Sequence, residues 1–211
     1  MNGVAAGGTP EAESQRLEAL WAGEFGDAYT DRNAEAWRRR EPFWRRIVER
    51  TSPERVLEVG CNAGPNLRWL AELIPPRGVF GVDVNEEALR RVRNDLPEVN
   101  VVHGSGRQLP FRDRFFDLVF TTGVLIHIPP FVVPVVMSEI VRCSGRYVLC
   151  GEYHAEEPTE VPYRGQQGAL FKRDFGALYV ELFPELVLVE RGQLTPDEGW
   201  DDVTWWLLER R

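Results

Sequence analysis

The chain has 211 residues, 43% of them hydrophobic, which suits one α/β domain with a full core. Lys and Arg number 25 against 33 Asp and Glu, a net charge of −8, so no general affinity for a nucleic-acid backbone is expected. No apolar run approaches the ~20 residues of a membrane span, and the Gly/Ala-rich start, Met1 to Pro10, lacks the basic and apolar regions of a secretion signal.

Residues 1–12 read as disordered. A helix is predicted from Ala12 to Ala22. Gly23 to Asn33 (GEFGDAYTDRN) mixes Gly, aromatic and charged residues and reads as an ordered loop. A helical stretch follows. Pro42 opens its second half, with Phe43, Trp44, Ile47 and Val48 on one face. Arg38, Arg39 and Arg40, with Arg45 and Arg46, read as its solvated face, the alternative being a local basic patch. Residues 13–50 thus form an N-terminal helical segment, and residues 51–211 form the main domain.

Ser52-Pro53 precedes the first strand, Arg55 to Val59. Strands are then predicted at Val79–Val84, Asn100–His103, Phe116–Thr121 and Arg146–Gly151. Helices are predicted at Leu67–Leu73, Glu86–Leu96 and Phe131–Val141. Short apolar strands separated by amphipathic helices imply a parallel sheet with right-handed crossovers. Ala169 to Leu182 reads as a further helix. Val187–Arg191 and Val203–Glu209 follow in succession and imply an antiparallel edge pair. Trp200, Trp205 and Trp206 read as packing residues of that edge. Cys61, Cys143 and Cys150 lack metal-ligand or paired spacing, which predicts free thiols in a reducing, cytoplasmic setting and no metal.

The strongest chemical signal is Glu58-Val-Gly60-Cys-Asn62-Ala-Gly64, between an apolar strand and a helix. Glycines at such a turn let a ligand approach the backbone, and the helix start offers free N–H donors. Asp83, in Gly81-Val-Asp83-Val84-Asn85, ends the next strand, where a carboxylate can accept hydrogen bonds from two ribose hydroxyls. The dinucleotide pattern Gly-x-Gly-x-x-Gly is not met, because Asn62 and Pro65 stand at its second and third glycines. Glu58 would also repel a pyrophosphate. It suits instead the cationic methionine end of S-adenosylmethionine (SAM).

On these residues the chain resembles the class I SAM-dependent methyltransferase superfamily, from about Phe43 to Arg211. The resemblance implies a Rossmann-like α/β fold with a mostly parallel seven-stranded sheet and an antiparallel C-terminal edge pair. It implies that the glycine turn holds the methionine end and that Asp83, with Val84, holds the ribose side. Gly104-Ser105-Gly106-Arg107-Gln108-Leu109-Pro110-Phe111 stands where the family has Gly-Asp-Ala-x-x-Leu-Pro-Phe. Ser105 thus replaces the aspartate that contacts the adenine amino group, and Gly106 follows it. Thr122 and Gly123 lie where the family passes beneath the cofactor. Segments like 13–50 fold over SAM in this superfamily, with Tyr29 and Arg32 as candidate contacts to the methionine end. The segments Trp21–Asn33, Tyr163–Phe175 and Asp201–Trp206 resemble methylases associated with pseudaminic acid biosynthesis and methylases of amino sugars.

Methyl transfer needs alignment and exclusion of water, and an amine acceptor must be neutral when it attacks. After the fifth strand, Glu152 and His154 are candidates to hold or deprotonate an acceptor, with Tyr153 beside them. His127 is either a base or a residue bonded to a backbone carbonyl at the pocket floor. Tyr163, Arg164, Lys172 and Arg173 form a basic, aromatic patch that is either a salt-bridged surface insertion or a site for the phosphates of a nucleotide-linked sugar. Asp201 and Asp202 either cap a strand or reach the substrate. The expected reaction is N-methylation of an amino sugar. The alternatives are O-methylation of another small metabolite and a SAM-binding subunit without activity. Partners are expected to be a small-molecule substrate and, at most, a second copy of the chain, with neither nucleic acid nor membrane.

Overall fold

The computed structural model describes residues 9–211. Its five central strands are β1 (Val56–Val59), β2 (Val79–Asp83), β3 (Asn100–His103), β4 (Phe116–Thr122) and β5 (Ser144–Glu152). They pair in parallel, as the strand–helix alternation predicts. Two more sheet strands follow, β8 (Leu186–Leu194) and β9 (Val203–Arg210). The sheet order is β3-β2-β1-β4-β5-β9-β8, with β9 antiparallel to both of its neighbours. The seven-stranded sheet and its antiparallel edge pair are as expected.

Residues one apart on a strand face opposite sides of a sheet, so each buried strand feeds two cores. Leu57, Val119 and Val148 meet Val136, Met137 and Ile140 of α6 (Val133–Cys143) on one side. Val56, Leu118 and Phe120 on the other side meet α3 (Glu41–Thr51), α4 (Leu67–Leu73) and α5 (Glu86–Asp95). The sheet runs from β1 towards β3 in one direction and towards β5 in the other. That reversal leaves a crevice beyond the carboxyl ends of β1 and β4, where ligands of open α/β sheets sit.

Several local expectations are corrected. Residues 1–8 of the segment read as disordered lie outside the described residues. The remainder enters α1 (Pro10–Ala22), which Thr9 caps by accepting from the N–H of Ala12. The segment read as an ordered loop is mostly helix, α2 (Glu24–Arg32). Extended backbone at Gly23 separates it from α1. Phe25 and Tyr29, four residues apart, then share a face against Trp21. Alternating charges hide this short apolar face from a periodicity search. Residues 34–39 form turns, and α3 begins only at Glu41 with Pro42 in its first turn.

The predicted helix Ala169–Leu182 shrinks to α7 (Phe175–Leu182), which the Asp174 side chain caps through the N–H of Ala177. The residues before it are extended. There β7 (Phe171–Lys172) pairs with β6 (Thr159–Glu160) in a small separate hairpin. Helix α6 starts at Val133, with Pro134 in its first turn. The three cysteines are free and buried, and no His/Cys/Asp/Glu cluster that could hold a metal occurs among the described residues. No helix among them is long and apolar enough to cross a membrane.

Helix α3 is tied to the sheet by Trp44, which is fully buried against Phe120 with ring centroids 4.6 Å apart. Its indole N–H donates to Asn66 Oδ1 at 3.2 Å. Trp44→Ala is therefore expected to lower stability by about 3–5 kcal/mol, to be read from urea denaturation midpoints. A change near zero would show that α3 is not part of the core.

Candidate active site

The chain leaves β1 through a tight turn. Gly60 and Gly64 have φ of +76° and +74°, and a Cβ on Gly60 would lie 2.4 Å from a methyl of Val124. Asn62 also adopts a left-handed conformation, φ +47°, which asparagine tolerates better than most residues. Its N–H donates to Asp83 Oδ2 at 2.7 Å, and the Asn85 N–H donates to Asp83 Oδ1 at 2.8 Å. The carboxylate at the end of β2 is thus held rigidly between two loops. Burial pushes its pKa up, and these backbone bonds oppose the shift.

Glu58 sits one residue before the end of β1 and is buried. Its Oε1 accepts from Asn66 Nδ2 at 2.6 Å, while Oε2 is buried without a partner. Burial pushes this carboxyl up to about 8, against the pull of Asn66 and of the Arg40 charge. Asn66 is the hub. Its amide nitrogen also donates to Thr122 Oγ at 2.9 Å, and its Oδ1 accepts from Arg40 Nη1 at 3.0 Å as well as from Trp44. Arg40 in turn stacks 3.9 Å over the Trp200 ring and donates to the Gly199 carbonyl.

Glu58, Asp83 and Arg40 line a cavity of about 330 Å³, roofed by α1 and α2. The roof is fastened to the loops that follow β1 and β2. The Thr30 hydroxyl donates to Asn62 Oδ1 at 2.6 Å, and Asn85 Nδ2 donates to Asp27 Oδ1 at 2.8 Å. Arg107 pairs with Glu11 at 2.9 Å. Trp21 stands over the far wall, its ring centroid 4.5 Å from that of His127 and 6.4 Å from that of Tyr163.

Of the expected cofactor residues, Tyr29, Glu58, Gly60, Asn62, Asp83, Val84, Ser105, Gly106, Thr122 and Gly123 all line this cavity. Gly64 does not; it shapes the turn behind it, its N–H donating to the Cys61 carbonyl at 2.9 Å. Arg32 does not line it either. It is exposed at the end of α2, its guanidinium 6.0 Å from the Tyr29 ring centroid. Arg40 is the arginine that reaches inside, although its place in the run Arg38-Arg39-Arg40 reads as solvated face.

The acid–base candidates separate. Glu152 is fully buried, does not line the cavity and spends its carboxylate on backbone N–H groups of residues 124–126. It is no acceptor contact. His154 lies outside the cavity, 3.6 Å from Asp174. His127 does line it. Its Nδ1 lies 2.6 Å from the Ala169 carbonyl, so that nitrogen carries the hydrogen and Nε2 keeps its lone pair. Burial lowers this imidazole to about 4.

Of the expected substrate residues, Tyr153, Tyr163 and Arg164 line the cavity. Lys172 instead lies 5.4 Å from the Tyr153 ring centroid, and Arg173, half-buried, does not line the cavity either. Asp201 joins the wall, its Oδ2 accepting from the Tyr153 hydroxyl at 2.6 Å. Asn66 and Arg40 carry no motif, so only their tertiary positions reveal them.

Residues 56–144 match the family model described as a methyltransferase domain. A probable S-adenosylmethionine-dependent methyltransferase of Mycolicibacterium smegmatis is 33% identical over 92 residues, which are 44% of this chain and 35% of that protein. A demethylmenaquinone methyltransferase of Bacillus cereus is 28% identical over 189 residues, 83% of this chain and 78% of that protein. One solved structure is the 1,6-didemethyltoxoflavin-N1-methyltransferase of Burkholderia thailandensis with bound 1,6-didemethyltoxoflavin and S-adenosylhomocysteine. It matches with a TM-score of 0.72 at 15% identity, over 99% of this chain and 93% of that one. The chain spans 35% to 54% of the length of three of the curated relatives it matches. The architecture is that of the class I SAM-dependent methyltransferases.

The buried imidazole has a consequence for stability. Its folded pKa is depressed, so the unfolded chain takes up a proton first as pH falls, and stability drops between about 6.5 and 4. His127→Asn is expected to flatten the stability curve in that window by on the order of 2–3 kcal/mol. Chemical denaturation at a series of pH values reads this, and an unchanged slope would mean that folding leaves the pKa of His127 where it is in the unfolded chain.

Proposed function

We propose that this chain, with its methyltransferase-domain match over residues 56–144, binds SAM in the cavity and transfers its methyl group to the amino group of a nucleotide-linked sugar. The observation that carries the cofactor half is the buried, unpartnered Oε2 of Glu58 on the same cavity as Asp83. A buried carboxylate oxygen needs a donor, and an ammonium beside it supplies both a hydrogen bond and a charge. A pyrophosphate there would face two carboxylates.

SAM fits the remaining groups. Asp83 retains lone pairs for the ribose hydroxyls, since each oxygen spends one on a backbone N–H. Arg40 suits the methionine carboxylate, and Ser105 with Gly106 lies where the adenine would rest. When bound, SAM supplies a methyl group activated by its sulfonium. The chain itself orients the two reactants, and α1 and α2 exclude water.

The acceptor half rests on the far wall. Trp21, Tyr163 and Asp201 come from the three segments that resemble amino-sugar methylases, and all three border the cavity. Aromatic faces suit a sugar ring, and Arg164 suits a phosphate. Asp201, fixed by Tyr153, is placed to hold an ammonium and to accept its proton before attack. The neutral imidazole of His127 would accept a hydrogen bond from the same group or from a hydroxyl.

Incubation with labelled SAM and a panel of nucleotide sugars, with and without amino groups, tests both halves. Transfer to the amino sugars is expected; transfer only to hydroxyl acceptors would overturn the amine assignment. Asp83→Ala is expected to weaken SAM binding by about 1–3 kcal/mol. Unchanged affinity would place the ribose elsewhere.

A further inference from the structure

The cavity floor is the short turn that follows β4. Gly123, with φ +65°, closes onto β5 through its N–H and the Gly151 carbonyl at 2.8 Å. Val124, Leu125 and Ile126 then open a single 3₁₀ turn ending at His127. The N–H groups that open a helical turn have no carbonyl of their own turn to bond. Here they are also away from water, because Leu125 and Ile126 are buried. Such groups need an acceptor from elsewhere in the fold.

That acceptor is one side chain. Glu152 Oε1 accepts from the N–H of Val124 at 3.2 Å and of Leu125 at 3.1 Å, and Oε2 accepts from the N–H of Ile126 at 3.3 Å. The residue is the last of β5, where pairing with Thr204 of β9 fixes its backbone. We infer that Glu152 is a positioning residue: its buried carboxylate fastens the 124–126 turn and so sets where His127 stands in the cavity.

An acceptor-only group is what three converging N–H donors require. The isosteric amide would turn an NH₂ towards one or two of them. The Thr121 hydroxyl also acts on this carboxyl and stabilises its charged form. Cys150 of β5 and Tyr179 of α7, the ionisable groups that interact with Glu152, are both buried and shifted towards their neutral forms. Downstream, His127 is held on its other sides by the Ala169 carbonyl and by the rings of Trp21 and Tyr163, at centroid distances of 4.5 and 4.9 Å. The turn carries His127 into this surround, so its position sets the wall that an acceptor would touch. This role relies on the proposed methyl transfer only for its consequence; the geometry of His127 can be read in the ligand-free protein.

Nitrogen-15 NMR of the ligand-free protein tests it. In Glu152→Gln, the amide signals of residues 124–126 and both ring-nitrogen signals of His127 are expected to shift. The Asn62 and Asn85 amides, bonded to Asp83, should stay in place. Glu152→Asp, which keeps the charge on a shorter stem, should return part of the His127 shift. A folded Glu152→Gln protein with unshifted His127 signals would overturn the assignment, whatever its methyl-transfer activity. Should that variant not fold, the unaltered protein gives the same answer. Burial pushes the Glu152 carboxyl up to about 7, against the pull of its backbone bonds. The three amide protons should therefore follow its carboxyl carbon signal with one midpoint in a pH titration. Amide signals that ignore that midpoint would contradict the inference.

Discussion

A carboxylate buried at the end of the central strand with one oxygen unpartnered is the constraint around which this molecule is arranged. Glu58 is raised to about 8, so in the folded state it holds its proton through a range where the unfolded chain has lost it. The sign follows: this group costs stability increasingly as pH rises from about 4.5 to 8. A fold keeps such a group where something bound offsets the cost. Asn66 supplies one hydrogen bond to Glu58 and, through its carbonyl, recruits Arg40 and Trp44. The first strand, the N-terminal helical segment and the start of α4 thus converge on a single amide.

The roof follows from the same network. Thr30 bonds Asn62, Asp27 bonds Asn85, and Asn62 and Asn85 are the two residues whose N–H groups hold Asp83. The helices that cover the cavity are therefore fastened to the loops that would touch the ribose. Farther along, the ends of β4 and β5 build the opposite wall of the cavity, with Glu152 beneath it and the Tyr153–Asp201 pair on its face.

Much of this was legible in the residues alone, and the reason is local. Glu58, Gly60 and Asp83 occupy strand ends whose apolar runs are short and bounded by turns, so their positions follow from chain order. The alternation of strands and helices likewise implied the parallel sheet. What escaped depended on tertiary geometry. The short α2 is amphipathic over only two turns, and its charges mask Phe25 and Tyr29. Arg32 and Arg40 are chemically identical, and the sequence pointed to Arg32; only the turns at residues 34–39 bring Arg40 inward and leave Arg32 exposed. Glu152 at a strand end reads as a reactive group, but three backbone donors nearby in space make it a clamp. Asn66 carries no signal except that it precedes a helix.

The central claim is that the cavity takes a cationic amino-acid end against Glu58. Calorimetry of S-adenosylhomocysteine binding, run at pH 7 in buffers of different ionisation enthalpy, tests it most directly. An ammonium beside Glu58 would pull its pKa back down and release up to about one proton per ligand bound. The account predicts binding enthalpies that vary with the buffer in the sense of proton release, and no such variation in Glu58→Gln. Tight binding with proton uptake, or with no dependence on the buffer in the unaltered protein, would contradict it.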